Sequence, residues 1–400
     1  MDHPNRRNHP WRRQKSRLEV RLKGTLRRLK IGASDSDTTN GGFQPGRGMY
    51  GMKNRRETGA SEDLDVFART VIGDLQAPRP RVFWSDLVAT AFVGWSAFAV
   101  AVATPPNAVL MPVASMAAAL ALYRGLCFIH ELTHLRRGSI PGFEIAWNLV
   151  FGVPLLLPSF TYIGVHQSHH NLSTYGTSDD PEYLPFARSR SLIVLFALHA
   201  SLVTPLALLV RFLVMAPVGL LWPRFHHWLE MHASSFAMNM RYRRVVTSAI
   251  SRTIRVWEGI ALAFWAIVLV GTWYRVLPMR VFPVWYFIVA LISFVNTARV
   301  LGAHAYESDG TPRNRLGQLA DSLDTPGGPW SELWAPVGLR YHAMHHFFPG
   351  IPYHNLGVAY RRLMQALPEN SMYRESTSPS LPWSLRQLHA KARRFAAGAR

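Results

Sequence analysis

Apolar positions in this chain fall in long uninterrupted runs, not in the alternation of a half-buried sheet. Leu87–Ala103 carries no charge, and Thr104-Pro105-Pro106-Asn107 breaks it, since proline stops a helix and biases the residue before it to extended backbone. Ala108–Ile129 follows, apolar except for Arg124. Each run is long enough to cross a hydrocarbon layer of roughly 30 Å, so together they predict a helical hairpin. Gly259–Tyr274 and Val281–Ala298 predict a second hairpin across the short linker Arg275–Arg280. Between the hairpins lie Ile145–Val165, which is uncharged but holds Pro154 and Pro158, and Leu192–Trp222, interrupted by Pro205, Arg211 and Pro217. Trp222, Trp257, Trp273 and Trp285 sit at or near run ends, where interfacial aromatics are expected.

The flanks are of another kind. Residues 1–60 are polar and rich in Arg, Gly and Ser, and read as disordered, with Arg17–Leu29 as a candidate basic surface helix and Met49 and Met52 as candidate alternative starts. The domain division expected is a basic N-terminal region over 1–80, a membrane catalytic domain over 81–365 and a basic tail over 366–400. Of the 400 residues 48% are hydrophobic and only 17% charged, which argues against an ordinary soluble enzyme. The net charge of +20 is concentrated at the ends, which fits cytoplasmic flanks of a membrane protein better than nucleic-acid binding. One cysteine, Cys127, excludes an intrachain disulfide and any Cys-built zinc or iron–sulfur site. The N-terminus lacks the apolar stretch of a cleavable signal peptide.

Histidine carries the chemistry. Eight of the 17 histidines fall in three clusters: His130 and His134, then His166, His169 and His170, then His342, His345 and His346. On a helix, positions three and four apart share a face, so each cluster aims two or three imidazoles at one point. Imidazole is the commonest metal ligand and suits iron, zinc and copper. His304 is a candidate ninth ligand, expected on a helical extension beyond Ala298. Asn296 lies about 80° off the His304 face and reads as a helix-packing group. His226, His227 and His232 form a looser set, His354 lies near the third cluster, and His3, His9, His199 and His389 read as incidental. Arg136, Arg137, Arg299 and Arg340 lie near the clusters, where they either meet a lipid headgroup or snorkel to the interface.

A shared metal site places all three clusters on one membrane face, so the chain crosses an even number of times between them. The fold class expected is therefore an all-α integral membrane protein. Four transmembrane helices form two hairpins, Ile145–Val165 and Leu192–Trp222 lie in the interface or return, and a cytoplasmic cap carries the histidines. Both termini are then cytoplasmic.

The set HxxxH, HxxHH, HxxHH resembles the three histidine boxes of the membrane fatty acid desaturase superfamily over roughly residues 85–365. Asp180-Pro181-Glu182 after the second box and Phe348-Pro349 after the third also match. His304 looks like the family's extra histidine; the asparagine that the acyl-CoA branch places four residues earlier is Val300 here. The resemblance implies two iron ions held by the nine histidines and O2 as co-substrate. It also implies a membrane lipid or acyl thioester substrate and an external donor such as ferredoxin or cytochrome b5. The activity implied is acyl desaturation, with hydroxylation or ketolation of a lipid or carotenoid on the same scaffold as the alternative. His130-Glu131-Leu132-Thr133-His134 also fits a zinc-protease motif, but that reading leaves most clustered histidines unused. A metal transporter would place ionisable groups within its spans, which here hold chiefly His199 and Arg211.

Overall fold

The computed structural model describes Leu64 and residues 66–398. The expected disordered segment 1–60, the candidate helix Arg17–Leu29, His3, His9, Met49 and Met52 lie outside the described residues. The chain divides into two units, Met1–Asp74 and Leu75–Arg400. Of the first, the structure describes a helical stretch at 66–72; all that follows concerns the second.

Among the described residues the architecture is helical, with only isolated β-bridges. Helix α1, Pro80–Ala103, begins on a proline, whose missing N–H costs nothing in a first turn, and ends at extended Thr104 before the two prolines. It packs antiparallel on α2, Leu110–His134. Arg124, the charge inside the second apolar run, pairs with Asp86 of α1 and with Glu332, at 3.1 Å for the latter. Further on come α3, Phe143–Trp147, and α4, Val165–His170. Then follow α5, Arg190–Leu221, α6, Pro223–His232, α7, Ser248–Trp273, and α8, Val281–Ala303. Helices α9, Arg315–Asp321, α10, His342–Phe347, and α11, Tyr353–Ala366, build the cap. The last, α12, Leu381–Gly398, buries Leu388 and Ala392.

Among the described residues five helices, α1, α2, α5, α7 and α8, are long and apolar enough to cross a membrane, as in a multi-pass membrane protein. Helix α5 differs from the others. It contains two π turns, His199–Val203 and Val210–Met215, each just before a proline, Pro205 and Pro217, that removes a donor from the i→i−4 ladder.

Ile145–Val165 does not form one helix. After α3 the chain makes a π turn, Asn148–Gly152, and then runs irregularly through the two prolines with residues 151–161 buried. Irregular backbone inside a membrane protein needs partners for the carbonyls that proline and bends set free. Tryptophan supplies them: the indole N–H of Trp95 donates to the Val150 carbonyl at 3.0 Å, that of Trp265 to Val153 at 3.3 Å, and that of Trp285 to Pro154 at 2.9 Å. Gly125 of α2 lets the segment press close, since a Cβ there would meet the Phe151 ring at 1.9 Å. Trp257 and Trp285 are thus not interfacial: both are buried in the core, 9% and 3% exposed, whereas Trp222 and Trp273 are exposed. The expectation for those two buried indoles fails because run ends in sequence are not surface positions once a buried loop packs between the hairpins.

Candidate metal centre

The three histidine clusters converge, and His304 joins them. His130, His134, His166, His170 and His345 each offer a ring nitrogen within 4.8 Å of the others, and so do His169, His304, His342 and His346 as a second group. The helix geometry explains the division. In HxxHH the first and last histidines share a face, while the middle one lies roughly 60° to the other side. So His166 and His170 of α4 join the first group and His169 the second. On α10, His342 and His346 join the second group and His345 the first. His130 and His134 form the last turn of α2. His304 is not on a helical extension: α8 ends at Ala303, and His304 is extended and bridged to Ser322, which turns its ring into the second group.

Ring nitrogens in both groups face one another at hydrogen-bond distance. His170 Nε2 lies 3.0 Å from His166 Nε2 and 3.1 Å from His345 Nε2, and His342 Nε2 lies 2.8 Å from His304 Nε2 and 3.1 Å from His346 Nε2. His130 Nε2 and His134 Nε2 are buried with no partner. A neutral imidazole has one donor and one acceptor, so protons alone cannot satisfy this many convergent lone pairs, and a buried orphan nitrogen is costly. Burial first, then neighbouring imidazoles, push His166, His170, His304, His342, His345 and His346 well below the usual imidazole range. They are neutral at physiological pH, the form that ligates. The donor set fits metal ions, one per group.

Acidic and phenolic groups behind the rings fix their orientation. Glu182 Oε1 lies 2.9 Å from His166 Nδ1, and Tyr162, stacked on that ring, donates to Glu182 Oε2 at 2.8 Å. Burial raises the Glu182 carboxyl to about 7. Asp180, fully buried, takes His169 Nδ1 at 2.9 and 3.0 Å and is itself held by the N–H groups of Gly176 and Glu182. Burial disfavours the His169 cation, but the Asp180 carboxylate outweighs it and raises His169 overall. Tyr175 bridges His304 Nδ1 and Asp321 Oδ2, both at 3.0 Å. Asp324 seats α10 by accepting from the Met344 N–H at 3.0 Å and the Tyr373 hydroxyl at 2.6 Å. At His166, His169 and His304 Nδ1 is thus spent on a fixed partner and Nε2 is left for the centre, as in supported metal-binding histidines. Asp180 and Glu182 are visible in the sequence as the Asp-Pro-Glu motif. Tyr162, Tyr175, Asp321 and Asp324 carry no local signal.

The remaining sequence candidates go elsewhere. His226 is buried between Glu258, 3.0 Å from Nε2, and Glu230, 3.2 Å from Nδ1, and Arg211 pairs with the other oxygen of Glu258. His227 and His232 stay at that edge, near Glu230 and the Trp228 carbonyl. His354 accepts from the Arg79 N–H at 3.1 Å. Arg340 pairs with Glu332 at 3.2 Å, and Arg136 and Arg137 are exposed. Asn296 is not a packing group: it faces a cavity, where its Oδ1 accepts from two nitrogens of Arg299 at 3.2 and 3.0 Å.

Three hollows meet Tyr162 and Arg299. The smallest, about 20 Å³, lies against His130, His166, His169, His304 and His342. A narrow apolar one of about 90 Å³ runs between α2 and α8 past Leu126, Leu155 and Val289. A wider one of about 430 Å³ runs between α5 and α8 past Leu195, Phe196 and Met240. The histidine centre therefore borders hollows lined largely by apolar side chains.

The fatty acid desaturase family model matches residues 103–378. A ceramide hydroxylase of Caulobacter vibrioides is 38% identical over 348 residues, which are 86% of this chain and 98% of that protein. The helical membrane fold, the converging histidine boxes and these matches agree: the chain is an oxidoreductase of lipid metabolism and belongs to the membrane fatty acid desaturase superfamily.

Proposed function

We propose that this chain is an O2-dependent di-iron lipid hydroxylase acting on a ceramide-like substrate. The carrying observation is that nine histidines in two convergent groups, seven buried and two half-buried, border a largely apolar cavity, in a chain that aligns with nearly the whole of a ceramide hydroxylase. His130, His134, His166, His170 and His345 would hold one iron, and His169, His304, His342 and His346 the other. The chemistry such a pair supplies is activation of O2 for cleavage of an unactivated C–H bond, which no acid or base among protein side chains achieves. The protein's own part is different. Asp180, Glu182 and Tyr175 hold imidazoles in one tautomer and orientation, and the buried cap keeps bulk water from the reacting carbon.

In overall balance, R–H, O2, two electrons and two protons give R–OH and H2O. The electrons come from an external carrier such as a ferredoxin or cytochrome b5. Desaturation, the activity first implied by the histidine boxes, consumes the same O2, electrons and protons but gives a double bond and two waters. The similarity to a hydroxylase along its full length favours oxygen insertion.

The topology proposed is four crossings in two hairpins, α1–α2 and α7–α8, with both termini and the histidine cap cytoplasmic. Convergence of the second and third boxes supports it, because an even number of crossings must separate them and α7 and α8 already supply two. Helix α5 then enters and leaves on the cap side or lies along it.

Lipid mass spectrometry of host cells with and without the chain tests the chemistry, with His169→Ala as control. Expected is a gain of about sixteen mass units in a ceramide pool, absent in the variant. A loss of about two units instead would establish desaturation and overturn the hydroxylase reading.

A further inference from the structure

We propose that Arg299, held by Asn296 at a fork between two cavity limbs, anchors the amide of a two-chain N-acyl lipid whose chains occupy the two limbs. This rests on the lipid-oxidising reading above and specifies how the substrate is recognised.

The fork is defined by shared walls. Tyr162, Thr204, Phe236, Ser293, Asn296 and Arg299 line both the narrow limb and the wide one. Tyr162 and Arg299 also line the small hollow against the histidines. Polar side chains are thus gathered where the limbs divide, and the limbs themselves are largely apolar. A single acyl chain has no polar group at such a point. A lipid whose two chains diverge from an amide does.

Arg299 is unusual for its surroundings. It is half-buried within α8, where its Nε and Nη2 donate to Asn296 Oδ1 on its own helix and the Tyr123 hydroxyl of α2 lies beside it. Among the described residues no carboxylate is ion-paired with it. A guanidinium has five N–H donors, and unmet donors facing an apolar cavity call for an acceptor. The Glu182 carboxylate lines the wide limb and the small hollow, and Tyr162 lies beside it. A phosphate placed here would meet Arg299 but also face Glu182. An amide flanked by a hydroxyl offers both an acceptor for Arg299 and donors for the carboxylate side, so a neutral N-acyl headgroup is the better complement. Because the fork adjoins His130, His166 and His304, the oxidised carbon is one close to the amide and not one in mid-chain.

The test uses the purified full chain in phosphatidylcholine nanodiscs without reductant, so that binding is read without turnover. The probes are tritiated N-palmitoyl-sphinganine, its thioamide counterpart, whose sulfur is a poor acceptor, and palmitoyl-CoA. Arg299→Met should weaken the amide lipid by roughly ten- to a hundredfold, the size of a lost charge-assisted hydrogen bond. Arg299→Lys should lose less. For the thioamide the wild type should already be weak and Arg299→Met little different, a pattern that a misfolded variant, losing both probes, would not give. Unchanged amide binding in Arg299→Met, or tighter wild-type binding of palmitoyl-CoA than of the amide lipid, would overturn the proposal. So would equal losses on both lipids in an Arg299→Met chain that keeps its wild-type iron content. A separate assay with a reductant locates the oxygen by tandem mass spectrometry. Oxygen near the amide supports the anchor, and oxygen in mid-chain contradicts it. If the wild type binds the amide lipid through Arg299 but oxidises no lipid, the functional reading fails while the binding site stands.

Discussion

Two buried clusters in this molecule combine histidine with acid, and they are built to opposite ends. In the cap, His166 and His169 give Nδ1 to Glu182 and Asp180, and their other nitrogens are turned toward neighbouring imidazoles. Around His226 both ring nitrogens face carboxylates, Glu258 on one side and Glu230 on the other, and Arg211 closes the cluster. The first arrangement leaves lone pairs without a proton between them. The second sets acids, not imidazoles, against both ring nitrogens, with Nε2 hydrogen-bonded to Glu258, and ties α5, α6 and α7 together. Histidine count does not separate a ligand site from a structural knot; the direction of the second nitrogen does.

Removing a histidine from each cluster breaks the comparison most sharply. His345→Ala is expected to abolish lipid oxidation and lower bound iron, read by lipid mass spectrometry and elemental analysis, whereas His226→Ala keeps its iron. Equal iron loss in both would erase the distinction. Next in size is Glu258→Gln, which leaves Arg211 buried without its anion. Breaking a buried pair costs about 3–5 kcal/mol, so thermal unfolding in detergent should fall well below wild type while the iron per folded protein stays constant.

Asp180→Asn probes the support behind a ligand. The fold should survive with some loss of stability, since the single amide oxygen can accept from only one of the Gly176 and Glu182 N–H groups that the two carboxylate oxygens serve, and activity or iron affinity should drop roughly 10–100-fold. A smaller loss at Asp180 than at Glu182 would show that the first histidine group depends more on its carboxylate than the second.

The smallest effect is one of pH. Burial raises the Asp324 carboxyl from 3.8 to about 7. Between those values the folded state holds more protons than the unfolded one, so this group makes stability fall as pH rises toward 7. Asp324→Asn lacks that term. The difference in melting temperature between variant and wild type should therefore shift in the variant's favour from pH 5 to pH 8, and a pH-independent difference would refute the assignment.

What could be read from the chain beforehand follows from the range of each interaction. His130 and His134, or His166 and His170, announce themselves because a helix repeats within four residues. The hairpins are legible for the same reason, being single apolar runs split by proline or by Arg275–Arg280. Tyr175 and Asp321 were not legible, because they lie 146 residues apart and meet only through the cap. Nor was the fate of Trp285, whose indole partner lies 131 residues earlier. The setting of Asn296 is not legible either, because helical phase measures direction relative to His304, not what occupies the space in front of it.

The buried loop between the hairpins also bears on how the protein is made. The carbonyls of Val153 and Pro154 leave the ribosome 112 and 131 residues before the tryptophans that bond them. Until α7 and α8 are synthesised, those two carbonyls lack their indole donors, and only Trp95 of α1 is in place to bond the loop, at Val150. A chain halted after α6 therefore lacks the donors of those two carbonyls, and the loop reaches its final set of hydrogen bonds only once the second hairpin is in place.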